Sequence, residues 1–293
     1  MKRVASASLL FLCLLGCTTT RSNDLPGRID RILAAHPQQT IAVAYQELDR
    51  DASLFRNERE VFHAASTMKV PVMVGVFHAA ARGVLSFDAP FTVRNEFTSI
   101  YDGSTYALEA REDSDAELYD KVGQGVPIEE LVRRMIVRSS NLATNNLMAL
   151  AQTTAIPVLM KEIGANDIKV LRGVEDDKAY HAGMNNTTTA YDLLLIFKAI
   201  AQHNVVSAEA SEKMIAILLA QEHNDGIPAG LPSGTRVAHK TGSITEIAHD
   251  GGIVIAADGT RYALVVLTRG FKKHADAERV IAEISRAVWE SRS

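Results

Sequence analysis

Hydrophobic and polar positions change period along this chain, and the changes divide it into elements. Residues 25–35 repeat apolar side chains at helical spacing, and residues 40–48 form a β-prone run that stops at Asp49-Arg50-Asp51. Residues 68–81, opened by Ser66, are apolar almost throughout, which predicts a helix buried on several sides. In the middle, Pro127 followed by Ile128, Leu131, Val132, Met135 and Ile136 has helical spacing, with Glu129 and Glu130 where the helix dipole favours acids. Residues 142–151, 189–202 and 207–220 continue as helices. The pattern then turns to strands over 236–243, 252–257 and 261–268, with the hairpin signal Asp258-Gly259 between the last two. Val280, Ile281, Ile284 and Val288 place an apolar stripe on a closing helix. Strands at both ends with helices between predict an α/β fold of the α+β type. An antiparallel sheet is flanked by the terminal helices, and an all-helical lobe, about residues 86–204, is inserted between its strands.

Composition narrows the class without naming a partner. Of 293 residues, 47% are hydrophobic and 23% charged, which suits a folded soluble domain and excludes disorder. Two cysteines cannot make a disulfide scaffold, and a net charge of -4 argues against nucleic acid as a partner. Lys2 and Arg3, a seven-residue apolar run over 9–15 and the small-residue exit Gly16-Cys17 read as a signal peptide over residues 1–16. That run is too short to span a membrane. Leu14-Leu15-Gly16-Cys17 resembles a bacterial lipobox, which implies lipidation of Cys17; an ordinary cleaved leader is the alternative. Residues 17–24 then form a polar tether and residues 25–293 the catalytic domain. The expected location is the periplasmic face of a bacterial membrane as a lipoprotein, or the soluble periplasm or medium.

Three short motifs follow in order. In Ser66-Thr67-Met68-Lys69 the spacing puts a hydroxyl and an amine one helical turn apart. A buried Lys can hold the proton of a Ser nucleophile, and a helix start adds free N–H groups beside it. A capping Ser followed by a snorkelling Lys would leave the same motif. Ser139-Ser140-Asn141 offers a second hydroxyl and an amide for proton relay and substrate grip, although Ser and Asn are also favoured helix caps. Lys240-Thr241-Gly242-Ser243 falls on a strand, where Gly lets a substrate backbone approach and Lys offers a cation to a carboxylate. No metal-ligand motif, elbow Gly-x-Ser-x-Gly or nucleotide loop occurs, so neither metal nor cofactor is expected.

Taken together, Ser66-x-x-Lys69, Ser139-x-Asn141 and Lys240-Thr241-Gly242 resemble the active-site set of the class A β-lactamases and related penicillin-recognising serine hydrolases. The contexts around Lys240 and Thr187-Thr188-Thr189 extend the resemblance over the mature chain. It implies a monomer in which Ser66 is acylated by a β-lactam, Lys69 manages its proton, and Ser139 and Lys240 serve the leaving nitrogen. Asn141 would bind the acylamide, Thr241 the carboxylate, and the N–H groups of Ser66 and Ser243 the oxyanion.

Departures from the family pattern sharpen the question. Glu175 in Arg172-Gly173-Val174-Glu175 matches the acid that activates the deacylating water, but Ala179 stands where the family has an Asn holding that water. Asn185 and Asn186 are the nearby amides that could replace it, and a solvated acid beside Asp176 and Asp177 is the plainer reading of Glu175. The usual Arg on the following strand is missing, which leaves the substrate carboxylate to Lys240 and Thr241, with Arg269 as a further candidate. His239 and His249 flank the motif and read as structural. The leading expectation is a serine β-lactamase. The alternatives are a D-Ala-D-Ala carboxypeptidase or esterase acting on peptidoglycan stem peptides, and a penicillin-binding receptor.

Overall fold

The structure is a computed structural model describing residues 24–150 and 155–292; the predicted signal peptide, Cys17 and all of the tether but Asp24 lie outside the described residues. The elements run α1 (Leu25–Ala34), β1 (Thr40–Glu47), β2 (Ser53–Arg56), β3 (Phe62–His63), a 3₁₀ turn (Ala65–Met68), α2 (Lys69–Ala81), β4 (Pro90–Thr92), β5 (Phe97–Thr98), β6 (Thr105–Tyr106) and β7 (Gly125–Pro127). There follow α3 (Ile128–Val137), α4 (Asn141–Leu150), α5 (Ile156–Ile163), α6 (Asp177–His181), β8 (Thr187–Thr188), α7 (Ala190–Ala201) and α8 (Ala208–Leu219). The chain closes with β9 (Arg236–Ile244), β10 (Ile247–Ile255), β11 (Arg261–Arg269) and α9 (His274–Ser291). Asp24 caps α1 by accepting from Gly27 N–H, as Thr189 and Ser207 cap α7 and α8, so each start signal is a side chain meeting a free N–H.

Five strands in the order β2-β1-β11-β10-β9 make one antiparallel sheet, as expected. Its alternating side chains feed two cores. Ile41, Val43, Leu264 and Val266 pack against α1 and α9, while Ala42, Ala44, Val265 and Leu267 face the helical lobe. Burial on both faces explains why these strands read as apolar runs rather than alternating ones. The inserted lobe is mainly helical, with short strand pairs β4–β7 and β5–β6 and the β3–β8 pair at its border. β10 starts five residues earlier than expected, because His249, Asp250 and Gly251 are strand residues whose polar atoms are bonded internally. β9 is an edge strand lying against the 3₁₀ turn, which brings the third motif beside the first.

Candidate active site

Ser66 sits on the 3₁₀ turn between β3 and α2 rather than within the first turn of α2. It does not cap: the cap position of that turn is Ala64, and the Ser66 side chain makes no cap bond to the turn's N–H groups. The edge of β9 closes in at Gly242, where a Cβ would lie 2.9 Å from both Ser66 N and Thr67 N. Only glycine permits that approach. The result is a cavity of about 250 Å³ in which Ser66, Ser139, Asn141, Thr241, Gly242 and Ser243 all take part.

Behind this wall lie two buried amines. Lys69, fully buried at the start of α2, turns its Nζ to Ser139 O (2.6 Å), Asn141 Oδ1 (2.8 Å) and Ser139 Oγ (3.2 Å). Lys240, equally buried, donates to Ser139 Oγ (3.0 Å) and Thr241 O (2.7 Å). The Ser139 hydroxyl therefore lies between two amines that began 70 and 101 residues away. Burial pushes Lys69 down to about 7, against the pull of Asp113 and Glu175. Burial and then the neighbouring Lys69 hold Lys240 well below the usual range, with Asp250 opposing. An amine near neutrality can take a proton as well as give one.

Glu175 joins the constellation through Asn141, whose Nδ2 donates to Glu175 Oε1 at 2.9 Å. Half-burial raises its pKa, Asn141 opposes, and the acids Asp113, Glu112 and Asp177 add to the rise. Of its acidic neighbours, Asp177 is exposed and Asp176 is not. Asp176 is buried, caps α6 through Ala179 N–H and accepts from Ser99 Oγ and Ile100 N–H. Ala65 (φ 45°), Ser139 (φ 60°) and Glu175 (φ 61°) all hold left-handed backbone without being glycine. Such conformations cost ~1–3 kcal/mol each and need surrounding bonds to persist.

Those bonds come largely from residues without a motif. Asn145 on α4 clamps Val174 with its amide, accepting from Val174 N–H (2.7 Å) and donating to Val174 O (3.0 Å). Asp113 accepts from the N–H groups of Asn141 and Leu142 at the start of α4, while Ser140 caps the same helix through Ala143 N–H. Asn185 and Asn186 do not replace the missing amide: both bind Arg172, and neither lines the cavity. Ala179 is fully buried and outside the lining. Arg269 is not at the site either, since it binds Glu60 and Val61 O. Instead, the cavity lining carries the acids Asp225, Asp250 and Glu278. Asp250 accepts from Ile227 N–H and pairs with His239, and His249 bonds Thr268 N and His63 O, so both histidines are structural as expected.

This fold, with its converging serines and lysines, defines a penicillin-recognising serine hydrolase class. The chain belongs to the β-lactamase enzyme family, whose model matches residues 24–291. It is 23% identical over 305 aligned residues to the extended-spectrum β-lactamase PER-1 of Pseudomonas aeruginosa, covering 99% of this chain and 95% of that one. The structure of PBP-A matches with a TM-score of 0.78 at 25% identity, covering 92% of this chain and 95% of the other. A β-lactamase from Sphaerobacter thermophilus DSM 20745 matches with a TM-score of 0.79 at 25% identity, covering 92% and 97%. Among the described residues, no helix is long and apolar enough to cross a membrane, and no group of three His, Cys, Asp or Glu is arranged to hold a metal ion.

Proposed function

We propose that the protein is a serine β-lactamase that opens the lactam amide through an acyl-enzyme on Ser66. The observation that carries this reading is the bonding of both buried amines, Lys69 and Lys240, to the Ser139 hydroxyl beside Ser66. Lys69, as a free amine, takes the Ser66 proton while the oxygen attacks the lactam carbonyl. The oxyanion rests on the N–H groups of Ser66 and Ser243, a contribution worth ~2.7–4 kcal/mol per donor where measured in a hydrolase. As the ring C–N bond breaks, Ser139 passes its proton to the nitrogen and is resupplied from the amines. Asn141 holds the acylamide and Thr241 the carboxylate. Glu175 then takes a proton from water, which attacks the ester and frees Ser66. Ahead of this catalytic domain, we read residues 1–16 as an export signal and Cys17 as a lipid-bearing anchor of a monomer. A lipid mass on Cys17 in the membrane fraction decides that point.

Intact-mass analysis after mixing with benzylpenicillin tests the reaction. Transient acylation of the wild type with ring-opened product is expected, and Ser66→Ala, which loses no cap bond, should fold normally yet never acquire the adduct. A wild type that keeps its adduct for hours would favour the peptidase or receptor reading, which the alanine at position 179 keeps in play. PBP-A, one mutant of which has been captured as an acyl-enzyme complex with penicillin G, shares this fold.

A further inference from the structure

The turn that presents Ser66 contains a buried amide whose bonding depends on one imidazole. Ala65 is 8% exposed and left-handed at φ 45°. Around it, Ala64 N–H goes to Asn186 O, and Thr67 N–H and Oγ1 both go to Ala64 O. The Ala65 N–H goes to His63 Nδ1 at 3.0 Å, and no other acceptor is bonded to it among the described residues. His63 is itself anchored, because its carbonyl accepts from His249 Nε2 at 3.0 Å and its strand pairs with β8. Rotating the Ala65 peptide would swing the Ser66 N–H and hydroxyl away from Gly242 and the cavity.

The other ring nitrogen explains how that acceptor is kept. Arg172 Nη2 lies 3.2 Å from His63 Nε2, and the guanidinium has no salt bridge among the described residues. Both neighbours of the ring can only donate. A neutral imidazole has one acceptor nitrogen, so it serves either the Ala65 N–H or Arg172 Nη2. Arg172 also donates through Nη1 to Gly173 O (3.1 Å) and through Nε to Asn185 Oδ1 (3.3 Å), whereas the Ala65 N–H has no other acceptor among the described residues, which assigns the ring proton to Nε2. A second proton on the ring would remove the acceptor from Ala65 and set two cations against each other. Burial and the nearby Arg172 accordingly push His63 down to about 4.

We propose that His63 is a positioning residue for acylation, holding the Ala65 amide on its Nδ1 lone pair and thereby the Ser66 turn. This rests on Ser66 being the nucleophile. The ¹⁵N spectrum of histidine-labelled protein at neutral pH should show His63 as the Nε2–H tautomer, assigned by its loss in His63→Asn. The Nδ1–H tautomer or an imidazolium would overturn the proposal. His63→Leu should slow acylation by benzylpenicillin ~10–100-fold with its apparent affinity nearly unchanged, and raise exchange of the Ala65 amide. His63→Asn places an amide oxygen where Nδ1 was, as in an Asx turn, and should restore both to within about threefold. Equal rates in all three proteins, or equal slowing in two folded variants, would defeat the idea. If His63→Leu does not fold, the tautomer and the Asn variant decide. If the wild type is never acylated, the catalytic reading fails while the spectrum and amide exchange still report on the tie.

Discussion

In the proposed mechanism Glu175 and Lys69 divide the chemistry, and their surroundings move their pKa values toward each other. Burial raises the acid above the usual carboxylate range and lowers the amine to about 7, so Lys69 can change charge state near neutrality. For Glu175→Gln the expected outcome is accumulation: the amide keeps the shape and a bond to Asn141 but cannot take a proton, so deacylation should slow ~10²–10⁴-fold while acylation proceeds. Stopped-flow coupled to mass analysis separates the two steps, and equal turnover would remove Glu175 from the mechanism. For Lys69 the sign follows from the free amine being the base. Its fraction grows as pH rises through about 7, so the acylation rate should climb across that range and level off above it. A flat profile between about pH 5 and 9 would argue that Lys69 does not act as the base.

At the scale of elements, α4 matters as much as the motif that precedes it. Its first turn carries Asn141 toward Lys69 and Glu175, and one turn later Asn145 grips Val174. Asn145→Ala should leave two part-buried backbone groups of Val174 without their side-chain partner and cost about 1–3 kcal/mol in urea unfolding. Loosening the Glu175 segment should lengthen the adduct lifetime more than it slows adduct formation; the reverse order would detach α4 from deacylation. Nothing in the sequence marks Asn145, since an Asn inside an apolar helix looks like a tolerated polar residue. Asp113 is hidden for a similar reason, lying in a charged stretch whose local pattern says only surface. The three motifs are legible because each is a local run, and the sheet because its strands are long and apolar. The start of β10 is not, since His249 and Asp250 are polar and their partners lie far off in sequence on β9, β11 and β3. Pairings over such sequence separations leave no local trace.

Across the whole molecule, the candidate cavity opens beside β9 at the edge of the sheet, and its charge is unusual for a site expected to bind an anion. Arg269 is engaged elsewhere, and burial favours the neutral form of Lys240, so little cationic charge faces a substrate carboxylate. Glu278 on α9 and Asp225 and Asp250 in the same lining oppose it instead. Glu278 is raised by burial and then by Asp225, while His274 and His223 pull it back and Asp250 adds to the rise. Its charge is repulsive toward penicillin but touches none of the proton-transfer groups. Glu278→Gln should therefore lower KM for benzylpenicillin about 2–5-fold with kcat nearly unchanged, the size expected of one charge about 4 Å away in a water-like dielectric, up to about 1 kcal/mol. Salt should mimic the mutation, because at ~0.1 M the screening length shortens to ~10 Å and the acidic wall weakens. The wild-type KM should fall as salt rises from low concentration, and the variant's should fall less. A KM that rises with salt in both proteins would mean that a net cationic field guides the carboxylate after all, and that the acids on α9 and β10 are neutralised by their histidine neighbours.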